Sequence, residues 1–165
     1  MIAFVVDVNV AIVANGRCPQ ANKACELRCV RKLREVSENT LCIDDGDRIL
    51  AEYRANLSMS GQPGVGDEFM YLVYHRQFDT AACERVAITP MPSDALDFKE
   101  IPRGSLDSLD RADRKYMAVA IASQRSPCIL DAVDSDWSQH ERALKAVNAT
   151  VEELCSDCLC NGETA

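Results

Sequence analysis

The chain has 165 residues, of which 47% are hydrophobic and 27% charged, and these proportions fit one globular domain with a single core. Aromatic residues make up only 5%, which argues against a surface of stacking rings that would bind single-stranded nucleic acid. The formal net charge of −8 disfavours non-specific nucleic-acid binding, which depends on Lys and Arg, and suits a basic partner.

Short apolar runs alternate with helical patterns along the chain. In chain order, the patterns predict a strand over 2–6, helices over 8–14 and 20–38, a strand over 41–43, helices over 48–58 and 67–77, a strand over 86–88, a helix over 110–124, a strand over 127–130, a helix over 138–147 and an edge strand near 147–151. This alternation predicts an α/β fold, with a central parallel sheet of four or five strands flanked by helices. We expect one domain over 1–151 and a flexible Cys-containing tail over 152–165.

Four acidic residues lie at positions where burial of a carboxylate costs free energy unless the group has a binding partner. Asp7 and Asp134 follow apolar strands, Asp113 lies in the first turn of a predicted helix, and Glu52 lies in the middle of another. In an open parallel sheet, ligands bind beyond the carboxyl ends of the strands. Converging carboxylate oxygens are the ligands that Mg²⁺ and Mn²⁺ prefer, so the pattern predicts a divalent metal site.

These acids belong to four short motifs that occur in a fixed order. The motifs are Phe4-Val5-Val6-Asp7-Val8-Asn9, Ile49-Leu50-Ala51-Glu52-Tyr53-Arg54, Asp113-Arg114-Lys115-Tyr116-Met117-Ala118-Val119-Ala120 and Val133-Asp134-Ser135-Asp136-Trp137. With this order and spacing, residues 2–151 resemble the PIN-domain ribonucleases, many of which are toxins of bacterial toxin–antitoxin pairs. The resemblance implies a PIN-like α/β/α sandwich.

The resemblance also implies a function and a set of site residues. It implies a metal-dependent endoribonuclease that hydrolyses phosphodiester bonds of single-stranded or structured RNA with Mg²⁺ or Mn²⁺, and that belongs to a toxin–antitoxin pair. The implied metal-binding and catalytic residues are Asp7, Glu52, Asp113 and Asp134, with Asp136 as a further acid at the metal and Asn9 and Ser135 as residues that orient a carboxylate or the substrate. The implied partners are RNA, an antitoxin protein and a second copy of the chain.

Nine cysteines are many for a chain of this length. The amino terminus lacks the features of a signal peptide, and no apolar stretch reaches the roughly 18–20 residues of a membrane span. We therefore expect a cytoplasmic protein that does not bind a membrane and whose thiols are reduced. Cys155, Cys158 and Cys160 could bind zinc if a fourth ligand came from elsewhere, such as Cys18, or they could belong to a mobile tail.

Three other functions are compatible with parts of this pattern. A phosphatase of the haloacid dehalogenase kind also begins with a strand and an Asp, but it needs a second Asp where this chain has Asn9. A non-catalytic PIN-like module that binds a basic partner would use the acids structurally. A zinc-binding regulator built on the cysteine-rich end is a third alternative.

Overall fold

The fold was derived from a computed structural model, which describes residues 1–159. Its strands are β1 (Ala3–Val6), β2 (Thr40–Asp44), β3 (Cys83–Val86), β4 (Pro90–Met91), β5 (Asp94–Phe98), β6 (Cys128–Asp131) and β7 (Thr150–Glu153). Its helices are α1 (Val8–Ala14), α2 (Lys23–Ser37), α3 (Arg48–Asn56), α4 (Val65–Arg76), α5 (Arg114–Ala122), α6 (Asp136–Gln139), α7 (Glu141–Ala146) and α8 (Ser156–Leu159).

Five strands form one parallel sheet in the order β3-β2-β1-β6-β7. The central strand β1 is buried along its whole length, which explains why its sequence is an uninterrupted apolar run. The sheet and its flanking helices confirm the predicted α/β architecture with a single domain.

The helices that matter for the candidate site start or pass near the carboxyl edge of the sheet. Helix α1 follows β1 directly and packs against α2 and α4, while α5 packs against β1, β2 and β6. Six of the nine residues of α5 are buried, and this accounts for its short, mostly apolar sequence. Within residues 1–159, no helix combines the length and the apolar character that a membrane crossing requires.

Some elements differ from the predicted ones. Strand β3 spans Cys83–Val86 instead of 86–88, because an edge strand tolerates the polar Glu84 and Arg85 where the sequence analysis looked for an apolar run. The predicted connection 89–109 contains the antiparallel pair β4 and β5. Helix α5 begins at Arg114, so Asp113 lies just before the helix and not within its first turn.

The end of the described chain is attached to the domain. Strand β7 continues two residues past the predicted domain end at 151, and the Leu154 N–H donates to the carbonyl of Asp131 at 2.8 Å. Cys25 and Cys155 form a disulfide bond, with Cα atoms 5.2 Å apart across 130 residues of sequence. The prediction that these two thiols are reduced is therefore wrong for this structure, because sequence spacing does not show that α2 and the chain end meet.

Candidate metal centre

Asp7 is held at the carboxyl edge of the sheet by the backbone on both sides of it. Its N–H donates to the Leu130 carbonyl at 2.9 Å, which continues the pairing of β1 with β6. Its Oδ1 accepts the Asn9 N–H at 3.0 Å and so caps helix α1. The side chain is almost completely buried, a costly position for a carboxylate that has no cation beside it.

Asp113 brings a second buried carboxyl group to the same place. It immediately precedes α5, and its carbonyl accepts the N–H groups of Tyr116 and Met117. Within the described part of the chain, no hydrogen-bond donor reaches its buried Oδ2 atom, although a hydrogen bond shared with the Asp134 carboxyl group is among the causes that raise the pKa of Asp113. A buried carboxylate oxygen without a donor is rare in folded proteins, and it is the arrangement expected of an oxygen that binds a cation.

Asp134 completes a group of three acids. Carboxylate oxygens of Asp7, Asp113 and Asp134 all lie within 4.8 Å of one another. Asp134 follows β6 and is only partly buried, so it is the member of the group that solvent reaches most easily. Three carboxylates from three separate segments, at this spacing, could hold a metal ion.

The electrostatics of this group reflect burial and mutual repulsion. Burial is the main cause that raises the pKa of Asp7 to about 8, and the charges of Asp131 and Glu52 add to the increase. Burial also raises the pKa of Asp113 to about 8, with the charges of Asp7 and Asp134 as the next causes. Although the charge of Lys115 lowers the pKa of Asp7, negative charge stays unfavourable here, and a bound divalent cation would offset both the burial and the repulsion.

Glu52 lies outside this group of three and has partners of its own. Its Oε2 accepts the Tyr116 hydroxyl at 2.5 Å and forms an ion pair with Lys115 Nζ at 2.9 Å. It is still close enough that its charge raises the pKa of Asp7. Because Lys115 compensates its charge, Glu52 is a neighbour of the three acids in this structure and not a member of their group.

The other predicted site residues make structural contacts. The Asp136 carboxylate accepts the Asp110 N–H at 2.7 Å, and the Asp136 N–H donates to Asp134 Oδ1 at 2.9 Å. Ser135 is exposed, and its carbonyl accepts the Ser138 hydroxyl at 2.8 Å. The structure thus places Asp136 beside Asp134 in the chain without bringing its carboxylate into the group of three.

Asn9 contacts a residue that the sequence analysis did not single out. Its Nδ2 donates to Asp131 Oδ1 at 2.7 Å, and its Oδ1 accepts the Ala132 N–H at 3.0 Å. Asp131 is fully buried at the end of β6, and burial raises its pKa to about 7. The pattern of an acid after an apolar strand was present in the sequence, because Asp131 follows an apolar run just as Asp7 does. Asp131 was not identified because the predicted strand ended at residue 130.

The cysteine cluster predicted at the chain end is only partly described. Cys155 lies close to Cys25 and Cys29, and the three sulfur atoms are within 4.8 Å of one another. Cys18, the suggested fourth zinc ligand, is not in this group among residues 1–159. Cys160 lies outside the described residues.

No protein-family model, curated protein or solved structure matches this chain. The resemblance to the PIN-domain ribonucleases therefore stays a prediction that depends on the four sequence motifs.

Proposed function

We propose that the protein is a metal-dependent endoribonuclease of the PIN-domain kind, and that Asp7, Asp113 and Asp134 hold Mg²⁺ or Mn²⁺. The observation that supports this most directly is the convergence of the three carboxylates within 4.8 Å, with a buried Asp113 oxygen that has no donor among the described residues. Each of these acids also lies in one of the motifs that resemble the family.

The chemistry of the proposed reaction follows from charge. A bound divalent ion would polarise the scissile phosphate, lower the pKa of a water molecule and stabilise the leaving oxygen. The protein positions the acids that would hold the ion, since the backbone N–H groups of Asn9 and Asp136 donate to the carboxylates of Asp7 and Asp134. Such preorganisation is what makes electrostatic stabilisation effective, since no groups have to reorganise during the reaction.

Neighbouring residues have supporting functions in this proposal. Asn9 and Asp131 fix the start of α1 against the end of β6, and so set the separation between Asp7 and Asp134. Lys115 and Tyr116 hold Glu52 beside the acids. Asp7 and Asp113 are buried whereas Asp134 is partly exposed, so the phosphate group would approach from the side of Asp134.

In this proposal, an open cavity of about 540 Å³ would receive the RNA. Its lining includes Ser108, Asp136, His140, Glu141 and Arg142 but none of the three acids. One residue of the lining contacts an acid, since the Asp136 N–H donates to Asp134 Oδ1. Serine hydroxyls and an arginine are groups that commonly contact phosphate and sugar, and such contacts position a nucleic acid without reading its sequence.

The decisive experiment measures cleavage of labelled single-stranded RNA by the purified protein with Mg²⁺, with Mn²⁺ and with a chelator. Cleavage should require the metal and should fall by roughly 10²-fold or more in Asp7→Asn and Asp113→Asn, because both remove charge from the metal ligands. Asp107→Asn is the matched control, since Asp107 is exposed and precedes the same helix. Cleavage that persists in chelator, or in both site variants, would contradict the proposal.

A non-catalytic module is the second candidate, and the pairing of Glu52 with Lys115 favours it, because one of the four predicted acids is already neutralised. The net charge of −8 also suits a basic partner. Calorimetry with Mg²⁺ and Mn²⁺ separates the two functions. Absence of both metal binding and cleavage of any RNA would favour the partner-binding module.

A further inference from the structure

Three cysteines, two on α2 and one near the end of the described chain, lie together in a group separate from the acids. Cys25 and Cys29 lie one turn apart on α2, and Cys155 follows β7; all three are completely buried. The Cys29 and Cys155 sulfur atoms are 4.0 Å apart, and all three sulfurs lie within 4.8 Å of one another. In this structure, Cys25 and Cys155 are joined as a disulfide.

Polar contacts around the sulfurs attach the chain end to α2 independently of that bond. Arg28 donates to the Leu154 carbonyl at 2.9 Å and to both carboxylate oxygens of Asp157, at 2.9 and 3.1 Å. Lys32 forms an ion pair with Glu152 at 3.1 Å. These contacts hold the chain end beside α2 in addition to the disulfide bond.

One sulfur–sulfur distance in this group is close to that of a structural zinc site. In a tetrahedral site with Zn–S bonds of about 2.3 Å, neighbouring sulfurs are about 3.8 Å apart. The 4.0 Å separation of Cys29 and Cys155 is close to this value. A zinc ion bound by these three sulfurs would keep one of its four coordination positions for another ligand.

We propose that, in the reduced protein, Cys25, Cys29 and Cys155 bind a structural Zn²⁺ ion. Reaching this state from the disulfide requires two electrons. Two molecules of a thiol reductant supply them, forming one disulfide of their own and leaving Cys25 and Cys155 as thiols. The ligand thiols then lose their protons to solvent as they bind the metal. The ion would fasten the end of the chain to α2.

The test uses the full chain, purified with reductant and without chelator, and measures its zinc content by mass spectrometry. We expect close to stoichiometric zinc, which is lost on treatment with a strong chelator and restored by Zn²⁺. Replacement by Co²⁺ should give the intense visible absorption of tetrahedral cobalt together with thiolate-to-cobalt charge-transfer bands. Removal of zinc should also lower the thermal unfolding temperature of the reduced protein, since binding energy adds to stability.

Single variants then identify the ligands. Cys25→Ser, Cys29→Ser and Cys155→Ser should each weaken zinc binding by at least roughly 10-fold. Cys18→Ser is the control, since Cys18 lies outside the group, and it should keep the wild-type affinity. Asp7→Asn should retain zinc, which separates this site from the proposed catalytic one.

The wild-type measurement decides the proposal even if a variant fails to fold. Reduced protein that takes up no zinc would overturn it, and so would a Cys25–Cys155 disulfide that peptide mapping still finds after the reductant treatment. Zinc that binds with unchanged affinity when Cys25 and Cys29 are replaced would also overturn it, because the ion would then be held elsewhere.

Discussion

The side-chain amide of Asn9 joins helix α1 to strand β6 by donating to Asp131 Oδ1 at 2.7 Å and accepting the Ala132 N–H at 3.0 Å. The backbone N–H of the same residue donates to Asp7 Oδ1 at 3.0 Å. One residue thus contacts the acids at the ends of two adjacent strands, and it sets how far apart the segments that carry Asp7 and Asp134 can lie.

Asn9→Ala should therefore affect both stability and the site. It leaves the Ala132 N–H without its acceptor and removes one donor from the buried Asp131 carboxyl group, which still accepts the Asp134 N–H. We expect a loss of about 1–3 kcal/mol in the free energy of unfolding, measured with urea. Asn39→Ala is the matched control, because Asn39 bonds to the backbone at the opposite end of β1. Equal effects of the two substitutions would argue against a special role for Asn9.

The stability of the metal-free protein should decrease as the pH rises. The pKa values of Asp7 and Asp113 are raised to about 8 in the folded state, from an ordinary value of 3.8. Between these values the folded state binds more protons than the unfolded state, so the stabilisation is complete at low pH and is lost as the pH passes about 8. Urea unfolding in the presence of a chelator, repeated across this pH range, measures how steeply the free energy of unfolding changes with pH.

Asp113→Asn tests the origin of that slope. The amide keeps the size of the carboxyl group and cannot ionise, so the variant should be more stable than the wild type by about 1–3 kcal/mol near pH 8 without metal, and its stability should depend less on pH. Asp107→Asn, at an exposed position, should leave the slope unchanged. A variant that is less stable than the wild type at this pH would contradict the repulsion described here.

Metal affinity should increase with pH over the same range. Mg²⁺ binds the ionised carboxylates, so below a pH of about 8 it must displace protons held by Asp7 and Asp113. Isothermal titration calorimetry in two buffers with different ionisation enthalpies counts the protons released. Binding that releases no protons near neutral pH would show that these two groups are not ligands.

Tyr116→Phe should weaken the support of Glu52. The hydroxyl accepts the Val8 N–H at 3.2 Å and donates to Glu52 Oε2 at 2.5 Å, so its removal leaves both groups without this partner. We expect a destabilisation of about 1–2 kcal/mol and slower RNA cleavage. The comparison variant is Tyr74→Phe, whose side chain is 39% exposed. Unchanged cleavage in Tyr116→Phe would limit this network to a structural role.

The sequence predicted most of the fold because local patterns report burial directly. The apolar run before Asp7 could only be a buried strand, and the alternation with helices indicated a parallel sheet. Strand β3 was misplaced because half of an edge strand faces solvent, so Glu84 and Arg85 do not interrupt it. Asp131 was missed because a shift of one residue at the end of a strand moves an acid outside the predicted element.

By itself, the sequence determined where acids follow strands and precede helices, and therefore which carboxylates could approach one edge of the sheet. Only the tertiary structure decided that Asp7, Asp113 and Asp134 form the group while Lys115 and Tyr116 bind Glu52. It also decided that Cys155 reaches Cys25 across 130 residues. The reason is physical: periodicity reports which face of an element is buried, whereas the identity of a side chain's neighbour depends on how separate elements pack.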